Sequence, residues 1–224
     1  MNYFSVDIET GGLDSNSDAL LEIGIIYEDG SKNISDCPSF RGLFRPPSFS
    51  EDGSPAWNGS MSTYAYKMHK KNGLIDEILN SKEEEINKNG ITREIRSDDP
   101  RTILMAASQF LNYYSGHRPL FFAGKNLATF DMPFLRNFYK NHNTEDLTSN
   151  DLALLHPHYC ILDVGSMYYP YIRRKDWVPS LQDCLNYAGI KDEKVNHTSL
   201  DDCRATIAAI RHLDKVKEQS PSTT

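Results

Sequence analysis

Asp7 and Glu9 lie two positions apart in the alternating segment Val6-Asp7-Ile8-Glu9-Thr10-Gly11-Gly12-Leu13. In a strand, residues two apart project from one face, so these carboxylates stand a few ångströms from each other. Two anions held that close repel, and oxygen ligands at such density suit hard cations, Mg²⁺ or Mn²⁺. Asp131 opens a helical segment, Phe130-Asp131-Met132-Pro133-Phe134-Leu135, and His197 precedes Asp202 in His197-Thr198-Ser199-Leu200-Asp201-Asp202. An imidazole that titrates near neutral pH is suited to moving a proton. Taken singly, each has a plainer reading. Asp-x-Glu is a solvated strand edge, Asp131 a helix cap, Asp202 a first-turn acid complementing the helix dipole and His197 a loop residue.

Taken together and in this order, the three groups resemble the DEDDh family of exonucleases. Its motifs are an Asp-x-Glu strand, an Asp beginning a middle helix, and a His separated by four residues from a final Asp. That spacing selects Asp202 over its neighbour Asp201. The resemblance covers the chain except for an insertion and the tail. It implies an α/β, ribonuclease H-like fold with a central mixed five-stranded sheet flanked by helices. It also implies that Asp7, Glu9, Asp131 and Asp202 hold two divalent cations, Mg²⁺ or Mn²⁺, with His197 as general base. The reaction implied is 3′-5′ trimming of single-stranded DNA or RNA to nucleoside 5′-monophosphates. Leu13 matches an apolar wedge against the terminal base, although a core position is an equal reading, and Thr10 matches a main-chain contact to the 3′-hydroxyl.

Within the family, the segment Met68-His69-Lys70-Lys71-Asn72-Gly73-Leu74, the run His158-Tyr159-Cys160-Ile161-Leu162-Asp163-Val164 and the Asn126 to Asp131 spacing look closest to oligoribonucleases. His69, Asn126 and Tyr159 become substrate-contact candidates on that ground, and a homodimer is a further implication. Three positions depart from that branch: Leu127 and Gly165 replace serines, and Cys160 replaces an arginine, all of which cap a 5′-phosphate there. The departures favour longer strands over dinucleotides. Two other classes share the pattern: a silent nucleic-acid-binding module of the same fold, and a small-molecule phosphohydrolase.

The elements that must position these residues follow from periodicity. Tyr3 to Ile8, Ala19 to Tyr27, Phe40 to Phe44, the buried run Leu120 to Ala123 and Tyr159 to Leu162 read as strands. Tyr64 to Leu79, Ile103 to Tyr114 after Pro100, Met132 to Tyr139, Ser180 to Ala188 and Ser199 to Val216 read as helices, the last two opened by an N-cap serine. Arg45 to Ser62 fits neither period, and Lys82 to Asp99 is charge-dense. The expectation is one exonuclease domain over residues 1–217, a loop insertion around 45–63 and a disordered tail over 218–224. On the surface, Lys67, Lys70 and Lys71 on one helix, and Arg173, Arg174 and Lys175 beside Tyr168, Tyr169 and Tyr171, are candidates for phosphate contact and stacking.

Composition bounds these readings. With 224 residues, 39% hydrophobic and 25% charged, the chain is in the soluble globular range. No apolar run approaches the roughly 20 residues that cross a bilayer. The first residues lack the basic and apolar regions of a signal peptide, so a cytoplasmic protein is expected. Its four cysteines are scattered without a C-x-x-C pair, and reduced thiols are expected. A net charge of -7 argues against holding nucleic acid on a broad basic surface. Divalent cations in a carboxylate cluster would instead put positive charge where a scissile phosphate sits.

Overall fold

The computed structural model describes residues 2–51, 53–82, 84–88, 90–116, 118–142, 153–158, 160–172, 177–191 and 195–219. In chain order the elements are β1 (Tyr3–Thr10), β2 (Leu20–Glu28), β3 (Ser39–Phe44), β4 (Ser48–Phe49), β5 (Pro55–Ala56), α1 (Thr63–Lys71), α2 (Leu74–Asn80), β6 (Glu84–Lys88) and β7 (Ile91–Ser97). They continue with α3 (Pro100–Ser115), β8 (Phe122–Gly124), α4 (Asp131–Asn141), β9 (Ile161–Asp163), α5 (Val164–Ile172), α6 (Leu181–Ala188) and α7 (Ser199–Gln219). One mixed sheet runs β6-β7-β3-β2-β1-β8-β9. β1, β2 and β3 form an antiparallel meander, while β8 joins β1, and β9 joins β8, in parallel.

Alternation along β1 divides the core. Phe4, Val6 and Ile8 pack with Ile103, Leu104 and Phe110 of α3 and Phe134, Leu135 and Phe138 of α4. Tyr3 faces the other way, into a cluster with Val164, Leu185, Ile207 and Ile210 from α5, α6 and α7. Helices thus cover both faces, which is why the central strands β1 and β2 are nearly all buried. The α/β architecture agrees with the expected class, but the sheet has seven strands where five were expected.

The two extra strands lie in the charge-dense segment. β6 and β7 form an antiparallel hairpin, and β7 adds in parallel to β3. Only Thr92, Ile95 and Ser97 of β7 are buried. Long side chains take over the packing: the Arg93 guanidinium lies 5.2 Å from the Phe110 ring centre and 4.9 Å from that of Tyr114. Every residue of β6 is exposed, and Glu84, Glu85 and Lys88 keep that edge charged against stray pairing.

Tyr64 to Leu79 is two helices, not one. α1 ends at Lys71 with Asn72 as its cap, and Gly73 has φ +89°, a left-handed conformation that glycine adopts without strain. The insertion holds the short β4/β5 pair and is stitched to the β1–β2 turn. Asn58 accepts from Leu20 N–H and donates to Leu20 carbonyl, both at 3.0 Å, and Ser62 N–H donates to Gly11 carbonyl at 2.7 Å. α7 continues to Gln219, past the start expected for the tail, and residues 220–224 lie outside the described residues. No helix among the described residues is long and apolar enough to cross a membrane.

Candidate active site

The odd-numbered residues of β1 point toward α7. Ser5 Oγ donates to the Cys203 carbonyl at 3.2 Å, which fixes the height of α7 on the sheet, and the next outward positions are Asp7 and Glu9. Opposite Asp7 in the β1/β2 register is Gly24. A Cβ there would lie 2.6 Å from Ser199 Oγ and 2.8 Å from the Ser199 carbonyl carbon, so a glycine is what lets the first turn of α7 settle onto β2. That turn carries Asp202. One ligand atom each from Glu9, His197 and Asp202 lie within 4.8 Å of one another.

Asp131 arrives from the other side. β8 pairs with β1 only at Phe4 and Ser5, so the Ile8 N–H lies beyond its partner strand. Asp131 Oδ1 accepts that N–H at 3.1 Å, which ties the start of α4 to the carboxylate strand. Asp202 Oδ1 accepts the Asn196 N–H at 3.2 Å. His197 is exposed, has φ +53°, and its carbonyl accepts from Asn72 Nδ2 at 2.5 Å. A left-handed non-glycine residue held by a specific bond is the kind of strain found where a side chain must be aimed.

Burial first, and neighbouring charge at three of them, shifts the carboxyl groups of Asp7, Glu9, Asp131 and Asp202 upward. Burial, then Asp131, Glu9 and Asp202, pushes Asp7 well above the usual carboxylate range. Glu9 moves the same way through burial and the charges of Glu22 and Asp202. Burial lifts Asp131 to about 7 against the pull of its own and the Ile8 N–H groups. Asp202 is likewise lifted to about 7 by burial, although the Asn196 and His197 N–H groups oppose it. Among the described residues only His69 comes within ion-pairing distance of any of the four, 3.8 Å from Glu9. His69 is itself buried and its basicity is lowered, first by desolvation. Among the described residues no lysine or arginine pairs with the cluster.

Above it opens a cleft of about 800 Å³ bordered by Thr10, Leu13, Tyr64, His69, Asn126 and His197 among others. Leu13 is 85% exposed, so its side chain is not core, and Tyr64 is 79% exposed at the same mouth. The sequence reading passed over Tyr64, whose only signal is an aromatic residue beside an N-cap serine. Thr10 Oγ1 donates to Gly12 carbonyl at 2.7 Å, and its own carbonyl lies 3.1 Å from His69 Nε2. His69 therefore braces the β1 end from within. Asn126 has φ +59°, and its N–H donates to Asp163 at 2.7 Å. Lys125 Nζ contacts Asn126 Oδ1.

Other candidates separate. Tyr159, Arg173, Arg174 and Lys175 lie outside the described residues. Tyr168 is no stacking platform: it is fully buried and its hydroxyl donates to the Ala209 carbonyl at 2.7 Å. Lys67 and Lys71 are exposed, while Lys70 pairs with Asp76. Leu127 is buried in the core, and a Cβ on Gly165 would lie 2.7 Å from both Lys125 Cε and the Pro179 carbonyl. Cys160 is exposed, and all four cysteines are free thiols.

No family model and no curated protein matches the sequence. Solved structures do match the fold. The zinc-bound complex of E. coli exonuclease I with single-stranded DNA aligns over 98% of this chain and 41% of its own, at TM-score 0.56 and 16% identity. The complex of the same enzyme with a dT13 oligonucleotide aligns over 97% and 41%, at TM-score 0.57 and 16% identity. Exonuclease I from Methylocaldum szegediense aligns over 99% and 41%, at TM-score 0.55 and 18% identity. The chain thus has the fold of a part of exonuclease I and spans about two fifths of the length of these proteins.

Proposed function

We propose that this chain is a 3′-5′ exonuclease that hydrolyses single-stranded nucleic acid to nucleoside 5′-monophosphates, using two divalent cations held by Asp7, Glu9, Asp131 and Asp202. The observation that carries this reading is the convergence of four acidic side chains from three distant segments with no lysine or arginine paired to them among the described residues. Such a cluster suits Mg²⁺ or Mn²⁺, whose oxygen preference it matches and whose charge it lacks. When bound, the cations would polarise the phosphoryl oxygens and make water a nucleophile at neutral pH.

The chain's own groups supply the rest. His197, exposed beside Glu9 and Asp202, accepts the proton of the attacking water. Water oxygen bonds to phosphorus, the bond to the 3′-oxygen of the penultimate nucleotide breaks, and that oxygen takes a proton from solvent to become the new 3′-hydroxyl. Leu13 and Tyr64 flank the terminal base, and the Thr10 backbone meets the terminal sugar. Single-stranded DNA in complexes of proteins with the same fold supports the strand as ligand.

The 5′ side favours length. With Leu127 in the core and Gly165 closed to any side chain, neither position offers the hydroxyl that would reward a dinucleotide. Each lost charge-assisted bond is worth about 1.5–3 kcal/mol. The test incubates 5′-labelled DNA and RNA strands of about ten residues, and a 5′-phosphorylated dinucleotide, with Mg²⁺ or Mn²⁺. A ladder shortened from the 3′ end is expected. Intact strands in both metals would overturn the assignment, and a dinucleotide cleaved about a hundredfold more efficiently would make the enzyme an oligoribonuclease.

A further inference from the structure

Glu22 is a fully buried carboxylate that no step above uses. It interrupts the apolar strand Leu20-Leu21-Glu22-Ile23, and it stands directly opposite Glu9 in the β1/β2 register. Directly opposed residues of an antiparallel pair share a face, so Glu22 extends the carboxylate row by one strand. Its Oε2 accepts the Ser199 N–H at 3.0 Å, at the first residue of α7. Its Oε1 is met by Arg41 Nε from β3. Arg41 then forks onto Glu77 of α2, with N–O distances of 2.6 and 2.8 Å.

We infer that Glu22 is a positioning residue of the cation site: it holds the start of α7 so that His197, two residues before Ser199, and Asp202, three residues after, face Glu9. The reason is geometric. α7 begins beside a carboxylate cluster that repels Asp202, and something must fix its first turn against that repulsion. Ser199 N–H is one of the helix's unpaired terminal donors, and a buried carboxylate is a strong acceptor for it. Arg41 supplies the countercharge that lets this acceptor remain buried beside Glu9. Gly24, the next residue on the same face, clears the space into which Ser199 settles. A group that orients ligands without touching the cation characteristically changes affinity by about 10–100-fold.

This inference rests on the proposed cation site, and the experiment separates the two. Mn²⁺ affinity is measured directly, by electron paramagnetic resonance of free Mn²⁺, for the wild type and for E22Q, E22D and E77Q. E22Q keeps the shape and removes the charge; E22D keeps the charge and shortens the reach to Ser199 N–H. E77Q breaks the outer half of the Arg41 fork and leaves Glu22 against Ser199. The expected result is an affinity about 10-fold or more weaker in E22Q and E22D, with KM for the strand unchanged, and near wild-type affinity in E77Q. Wild-type affinity in a folded E22Q or E22D overturns the inference, as does an equal loss in E77Q, which would make the network a fold-stabilising ion pair. If E22Q fails to fold, E22D decides. A wild type that binds no Mn²⁺ sinks the cation site itself, and this inference with it.

Discussion

Two ends of the same helix–sheet interface bury carboxylates and treat them in opposite ways. At one end Glu28, 2% exposed, is clasped by Arg211 of α7 at 2.7 and 2.8 Å, and the Cys37 thiol donates to it at 3.4 Å. At the other end Asp7 and Glu9 lie on the same face under the same helix, whose first turn carries Asp202. Among the described residues none of them is paired with an arginine or lysine. A carboxylate that only holds the fold together is given its cation by the chain, because an unpaired buried charge is costly. Where no lysine or arginine among the described residues pairs with the carboxylates, a cation from solution can supply the charge, as proposed for this site.

The largest effect expected from this contrast is loss of activity at the unpaired end. Chelation, or D7N, should reduce strand hydrolysis to the level of a protein-free control, since four acids without cations repel the phosphate. Hydrolysis that persists in excess chelator would erase the distinction between the two ends.

H197A comes next, with turnover falling by about 10²- to 10⁴-fold while Mn²⁺ affinity stays close to wild type. Single-turnover rates from pH 6 to 9, read beside the titration, check it. A variant at the wild-type rate throughout would mean that another group activates the water.

R211M probes the paired end. It leaves Glu28 buried without its partner, and because the arginine side chain is 26% exposed the cost should fall near the low limit for such a break, about 3 kcal/mol. Thermal denaturation should show Tm lower by about 6–12 °C. The exonuclease rate of the folded variant should not change. A lowered rate would mean that the two ends are coupled through α7.

The smallest effect is a pH dependence of the metal-free protein. Asp131 and Asp202 are raised to about 7 in the folded chain, against about 3.9 when unfolded. Between these values the folded state keeps protons that the unfolded state releases, so stability is lost as pH rises through about 7. Chelated protein should therefore melt a few degrees lower at pH 8 than at pH 5.5, and Mg²⁺ should restore more stability at pH 8. Equal or greater stability at pH 8 without metal would mean that the cluster already has a countercharge.

Local pattern made much of this legible. The period of two in β1 is enough to put Asp7 and Glu9 on one face, and the serines at 180 and 199 mark where two helices begin. The hairpin β6–β7 escaped the same reasoning because Arg93, Glu94 and Arg96 fill positions that apolar residues occupy in an ordinary strand. The break at Gly73 was hidden because apolar spacing continues across it, and only a backbone at φ +89° separates α1 from α2. Glu22 did leave a trace, an acid inside an apolar run, but a trace without a partner cannot be interpreted.

The sequence alone determined which side chains are candidates for the chemistry and which strand and helix starts present them, because those are properties of neighbouring residues. Tertiary structure decided that Asp131 reaches the Ile8 N–H from 123 residues away and that Glu22 grips Ser199 from 177 residues away. It also decided that, among the described residues, no arginine pairs with Asp7. These follow from strand register, from where β8 stops, and from the clearance Gly24 gives α7. All of them are settled by long-range packing, on which residue type and spacing along the chain carry no direct information.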